Sequence, residues 1–266
     1  MAITTHRGCR LYWELDGDPS APPLLLVRGL ARSARYWAGL RELLAPRFRL
    51  ILVDNRGIGR SDAPRPPYST ALMADDTAAV LDDAGVARAH VFGMSLGGMI
   101  VQQLALRHPA RVDRLVLGCT SPGGRNAVRF PLRAVLNLVR SGLAPPERAL
   151  RIVAPYLLSA QTLRERPDVI DSWQAITRAE PPRLRGLIGQ LSAAARHDAW
   201  ERLPGIGAPT LVLTGDADRL IPHHNSRLLA QRIAGARLQL IAGAGHDFAA
   251  DRPAETAAAL TAFLEG

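Results

Sequence analysis

A chain of 266 residues, 47% of them hydrophobic, is long enough to bury one large core, and α/β chains of this size commonly form a single domain. Its formal net charge of +9 comes from 33 basic residues, all arginine, against 24 acids, but no basic run is interleaved with aromatics, so a nucleic-acid partner is not expected. The start, Met1-Ala2-Ile3-Thr4-Thr5-His6-Arg7, has no apolar signal core, and no stretch approaches the roughly 18 apolar residues of a membrane span, so a soluble cytoplasmic protein is the expectation.

In chain order, apolar runs at 9–15 and 24–27 read as strands, separated by Gly17, Asp18, Pro19 and Pro22-Pro23. Residues 36–44 have helical spacing, 50–54 read as another buried strand, and 70–84 as an amphipathic helix closed by Gly85. The polar, glycine-rich stretch from Asp54 to Asp62 lacks the Gly-Lys-Ser/Thr ending of a phosphate-binding loop and is expected to be a structural turn. Next comes the run His90-Val91-Phe92-Gly93-Met94-Ser95-Leu96-Gly97-Gly98, which leads into a helical pattern reaching Arg107. A serine at so tight a strand-to-helix turn has strained backbone geometry and an outward hydroxyl, while Gly93 and Gly97 let strand and helix approach closely. A further strand is expected over 112–119. Alternation of strand and helix implies a mostly parallel sheet covered by helices on both faces, with functional loops beyond the carboxyl ends of its strands.

Between residues 123 and 203 the strand rhythm stops. Helical patterns broken by Pro145-Pro146, Pro167 and Pro181-Pro182 fit a helical cap, so the core is expected as 1–122 and 204–266 with the cap inserted at 123–203. From Arg125 to Arg202 there are 13 arginines against seven acids, which puts much of the surplus charge on this segment. A solvated exterior accounts for it, and steering of anionic substrates is the sharper alternative.

A serine hydroxyl is a weak nucleophile, so the elbow calls for an imidazole to take its proton and a carboxylate to orient that imidazole. Both follow in order. A strand over 208–215 ends in Asp216-Ala217-Asp218, and one over 236–241 runs into Gly243-Ala244-Gly245-His246-Asp247-Phe248. The triad is read as Ser95, Asp218 and His246. Other histidines, at His108, His197 and His223-His224, are assigned surface or capping roles, and Cys9 and Cys119 are read as structural thiols. No metal-ligand spacing and no dinucleotide fingerprint occurs, so neither a metal nor a cofactor is expected.

These motifs, together with Leu24-Leu25-Leu26-Val27-Arg28-Gly29-Leu30 and Asp54-Asn55-Arg56-Gly57-Ile58-Gly59-Arg60-Ser61-Asp62, make the chain resemble the α/β-hydrolase family, and within it small esterases and lactonases with a helical cap. In relatives the acid of a Gly-x-x-Asp-x-x-x-Pro pattern joins the triad, which maps onto Asp218, with Pro222 closing the pattern, rather than onto Asp216. The resemblance implies an oxyanion hole made by the backbone N–H groups of Leu30 and Leu96. Relatives usually carry histidine where this chain has Arg28, leaving two readings: a brace for the loop, or a receiver for a substrate carboxylate. Met94 and Phe248 are further substrate-binding candidates, and Trp37, Phe130, Tyr156 and Trp173 further aromatic candidates for the pocket. The implied function is hydrolysis of a small ester or lactone. Carbon–carbon bond hydrolysis, acyl transfer and perhydrolysis use the same triad, and a ligand-binding receptor of low turnover is the alternative from another class.

Overall fold

The run Leu24-Leu25-Leu26-Val27 has no polar side, the composition of a strand covered on both faces. The computed structural model describes residues 1–142 and 144–266 and puts this run in β3 (Pro23–Val27) of an eight-stranded sheet. The others are β1 (Ala2–His6), β2 (Cys9–Asp16), β4 (Arg49–Val53), β5 (Ala89–Met94), β6 (Val112–Gly118), β7 (Thr210–Gly215) and β8 (Arg237–Ile241). Their spatial order is β1-β2-β4-β3-β5-β6-β7-β8. β2 is antiparallel to β1 and β4, and every pairing from β4 to β8 is parallel.

Alternation along each strand feeds two cores. Leu25, Val27, Val91 and Leu115 join one cluster, with Met73, Ala74 and Val80 of α2 (Thr70–Asp83) and Met99, Ile100 and Leu104 of α3 (Leu96–Arg107). Leu24, Leu26, Phe92 and Val116 join the other, with Leu40 and Leu44 of α1 (Leu40–Leu44) and Leu260 and Phe263 of a carboxyl-terminal helix, Pro253–Glu265. Side chains of period two therefore bury both faces. The helix expected over 36–44 is instead a short turn at Ala34–Trp37 followed by α1. Gly39 separates them at φ 84°, a left-handed position that a continuous helix does not tolerate.

Among the described residues between β6 and β7 lie five α-helices: α4 (Leu132–Gly142), α5 (Pro146–Leu157), α6 (Ala160–Glu165), α7 (Pro167–Ala179) and α8 (Leu184–Ala195). They reach the core through specific bonds. Gln190 of α8 donates to the Arg56 carbonyl at 3.0 Å, and Tyr36 shares a hydrogen bond with Thr177 of α7 at 2.8 Å. After β7 come α9 (His224–Arg232), β8, α10 (Phe248–Asp251) and α11, the Pro253–Glu265 helix. Because β3, β5, β6, β7 and β8 are parallel neighbours, the loops that leave their carboxyl ends share one edge of the sheet. Among the described residues no helix is long and apolar enough to cross a membrane.

Candidate active site

Ser95 follows β5 directly and starts α3 with φ 57° and ψ −120°, a left-handed conformation that costs a serine on the order of 1–3 kcal/mol. Neighbouring bonds hold it there. Its N–H donates to the Gly118 carbonyl at 2.8 Å, and the Thr120 hydroxyl donates to its carbonyl at 2.7 Å. A Cβ on Gly97 would collide with the Val27 carbonyl, and one on Gly93 with the Gly97 carbonyl, so both glycines are required for strand and helix to meet.

Asp218 and His246 arrive on the loops after β7 and β8. The His246 Nδ1–H donates to Asp218 Oδ2 at 2.9 Å, while Asp218 Oδ1 accepts the N–H groups of Leu220 and Ile221 at 2.8 and 2.9 Å. Both side chains are buried. Asp216 is turned elsewhere, accepting the Gly243 N–H at 2.7 Å on the exterior. Burial disfavours the imidazolium of His246, but the Cys119 sulfur and the Asp218 carboxylate outweigh it, and the pKa stands well above its ordinary value. The Cys119 contact was not expected from the sequence. Its Sγ lies 4.0 Å from His246 Nε2, and burial pushes its thiol pKa up. The available signal was position, since Cys119 leaves the end of the strand beside the elbow strand.

The loop after β3 approaches the same point. A Cβ on Gly29 would lie 2.9 Å from Ser95 Cβ and 3.4 Å from its Oγ. Among the described residues, no acceptor takes the N–H of Leu30 or of Leu96. Unpaired backbone donors are rare in a folded chain and mark a place where an incoming oxygen can be received. The turn at Asp54 to Asp62 supports this loop: Asn55 donates to the Arg28 carbonyl at 2.9 Å, and Asp54 accepts the Ala34 N–H at 2.7 Å.

Arg28 is buried with its guanidinium on Asp247, Nη2 donating to Oδ2 at 2.6 Å and Nη1 to Oδ1 at 3.3 Å. It also lies 4.5 Å from the Trp37 ring centroid and donates to Met94 Sδ at 3.4 Å. This geometry favours the brace over the carboxylate receiver, because the fork already holds a carboxylate. Met94 is thereby packed behind the elbow, and Phe248 is buried against Phe92 with ring centroids 6.3 Å apart. Trp37 is wholly buried, Phe130 is exposed, Tyr156 accepts a hydrogen bond from Asn137 at 2.8 Å, and Trp173 stands edge-on to Tyr36.

His197 corrects the surface role expected of it. It is buried between Thr70 (3.0 Å) and Gln102 (3.3 Å), and burial followed by the Arg202 charge lowers its pKa to about 3, so it is a neutral structural group. His108 pairs with Asp75 at 2.9 Å, and His223 caps the start of α9, which His224 begins. Cys9 is buried, and its thiol pKa is raised to about 11 by that burial.

A family model described as the alpha/beta hydrolase fold matches residues 22–253. A putative carbamate hydrolase, RutD, of Azorhizobium caulinodans is 35% identical, the match covering 91% of this chain and 90% of that protein. A poly(3-hydroxyalkanoate) depolymerase of Ectopseudomonas oleovorans is also 35% identical, over 94% of this chain and 86% of its own length. Among solved structures, the enol-lactonase of Burkholderia xenovorans LB400 superposes with a TM-score of 0.89 at 27% identity, and each chain is covered completely.

Proposed function

The chain belongs to the alpha/beta hydrolase family, and from that premise we propose that it hydrolyses carboxylic esters, with lactones as the second substrate class, through an acyl-enzyme on Ser95. The observation that carries this reading is the buried His246–Asp218 pair at 2.9 Å on the strand edge that also bears the strained Ser95. In the proposed cycle Ser95 Oγ attacks the ester carbonyl while His246 Nε2 takes its proton. Asp218 holds Nδ1 protonated and stabilises the imidazolium, which then protonates the departing alcohol. Water repeats the sequence to release the acid.

The tetrahedral oxyanion is assigned to the unspent N–H groups of Leu30 and Leu96. Preorganised donors of this kind contribute about 3–4 kcal/mol each to the transition state. The helices α4 to α8 are proposed as the cap, 123–203, that shapes the pocket for a small ester. A lactone is a cyclic ester, so similarity to an enol-lactonase fits the same chemistry. Carbamates, the class named for the RutD relative, carry a nitrogen lone pair that deactivates the carbonyl and are expected to turn over more slowly.

The test is a panel of p-nitrophenyl esters, lactones and carbamates, combined with fluorophosphonate labelling. The wild type is expected to hydrolyse esters and to take up one label on Ser95. Ser95→Ala should abolish labelling and lower kcat by roughly 10⁵ to 10⁶. Ester turnover retained in Ser95→Ala overturns the reading, and a folded protein that binds esters without turnover supports the receptor alternative.

A further inference from the structure

With Arg28 engaged by Asp247, a second arginine on the loop beside the candidate nucleophile lacks such a partner. Arg32 lies three residues past Gly29, and its N–H donates to the Gly29 carbonyl at 3.3 Å. That bond closes a turn, so the two Cα atoms are within about 7 Å, and a Cβ on Gly29 would lie 2.9 Å from Ser95 Cβ. The loop between them is fixed: Ala31 sits at φ 56°, and its N–H donates to Gln190 of α8 at 2.9 Å.

The Arg32 guanidinium carbon is 4.2 Å from the ring centroids of both Tyr36, from the core, and Trp173, from α7. The rings meet at 62° with centroids 6.0 Å apart, so the cation occupies the corner between them. Both rings are buried, and Tyr36 is anchored further by Thr177. Among the described residues the Arg32 side chain makes no hydrogen bond and no ion pair. Glu180 of the same insertion pairs with Arg35 at 3.0 Å and Arg60 at 3.5 Å.

Aromatic contact uses the π face of a guanidinium and leaves its N–H edges free. A partly desolvated cation with free edges is a receiver for a planar anion, and a carboxylate satisfies two of those N–H groups at once. The surplus of arginine over acid in 125–202 adds a field of the same sign.

We propose that Arg32 determines specificity by holding a free carboxylate on the substrate, so that the preferred substrates are half-esters of dicarboxylic acids or lactones bearing a carboxylate. The proposal deepens the ester-hydrolase reading and rests on it for the position of the scissile carbonyl. The fork reads the anion while Tyr36 and Trp173 hold the fork at the seam between core and insertion.

Binding tests this without requiring turnover. In the Ser95→Ala protein, calorimetry with monomethyl glutarate and dimethyl glutarate at pH 7 should show the half-ester bound at least tenfold more tightly. Arg32→Gln in the same background should erase that preference, and Trp173→Leu should reduce it several-fold by releasing the stack. In the Ser95-containing enzyme the preference should appear mainly in KM. Equal affinity for the two probes, or a preference that survives Arg32→Gln in a protein with a normal circular-dichroism spectrum and melting transition, overturns the proposal. Should Arg32→Gln fail to fold, Arg32→Lys keeps the charge without the fork, and an undiminished preference in that variant overturns it equally. Failure of the ester-hydrolase reading is read separately, as absence of ester turnover in the wild type.

Discussion

Asp216 and Asp218 are two residues apart on one loop, yet their carboxylates meet different groups: Gly243 N–H for the first, His246 Nδ1 for the second. Asp218→Asn should therefore lower kcat by roughly 10⁴ through the wrong histidine tautomer, and Asp216→Asn by far less. Steady-state kinetics on both folded variants checks the ranking, and a reversed order would transfer the role to Asp216. His246 supplies a pH dependence of definite sign. Its pKa is raised above the ordinary value, so kcat/KM should rise with pH along a limb centred above 6.5. Stability moves the other way: the contribution from the raised pKa is fully present below about 6.5 and is lost as pH rises through the folded value.

The loops after β3 and β8 depend on one another. Arg28 and Asp247 tie the Gly29-Leu30 segment to the residue after His246, and Asp251 of α10 accepts N–H groups from Gly245 at 2.6 Å and from Ser159, ahead of α6, at 3.0 Å. Asp247 N–H also donates to the Leu157 carbonyl at the end of α5, 2.7 Å away. Arg28→Met leaves a buried carboxylate uncompensated and should cost about 3–5 kcal/mol in denaturant unfolding, with a fall in kcat as both loops relax. A stability loss under 1 kcal/mol would mean the pair is no brace. The sequence made the strands and the Ser95 elbow legible because apolar runs and paired glycines are local signals. It did not reveal β1, whose Ala2-Ile3-Thr4-Thr5-His6 is short and half polar, or α11, whose alanine-rich stretch has little amphipathic contrast. Pairings across long separations, such as Arg28 with Asp247, leave no periodic trace at all.

Across the whole molecule, a parallel sheet gathers Arg28 to Leu30, Ser95, Cys119, Asp218 and His246 from five separate loops onto one edge. Chain order led to the expectation that Ser95, Asp218 and His246 share one side of the sheet, because successive parallel strands deliver their loops to the same side. How the inserted helices meet the core was not legible, since helix spacing places Trp173 on a helix but says nothing of its meeting Tyr36 across the seam. The net charge of +9 should favour anionic over neutral esters more at low ionic strength than at high, a comparison made by kcat/KM across a salt series. The most direct measurement is rapid acid quenching during turnover of p-nitrophenyl acetate, followed by peptic digestion and mass spectrometry. A single acetyl group on the peptide containing Ser95, formed at the rate of the nitrophenolate burst, is the expected result. Steady turnover with no adduct at any quench time, or an acetyl group on Cys119 in place of Ser95, would contradict a serine acyl-enzyme.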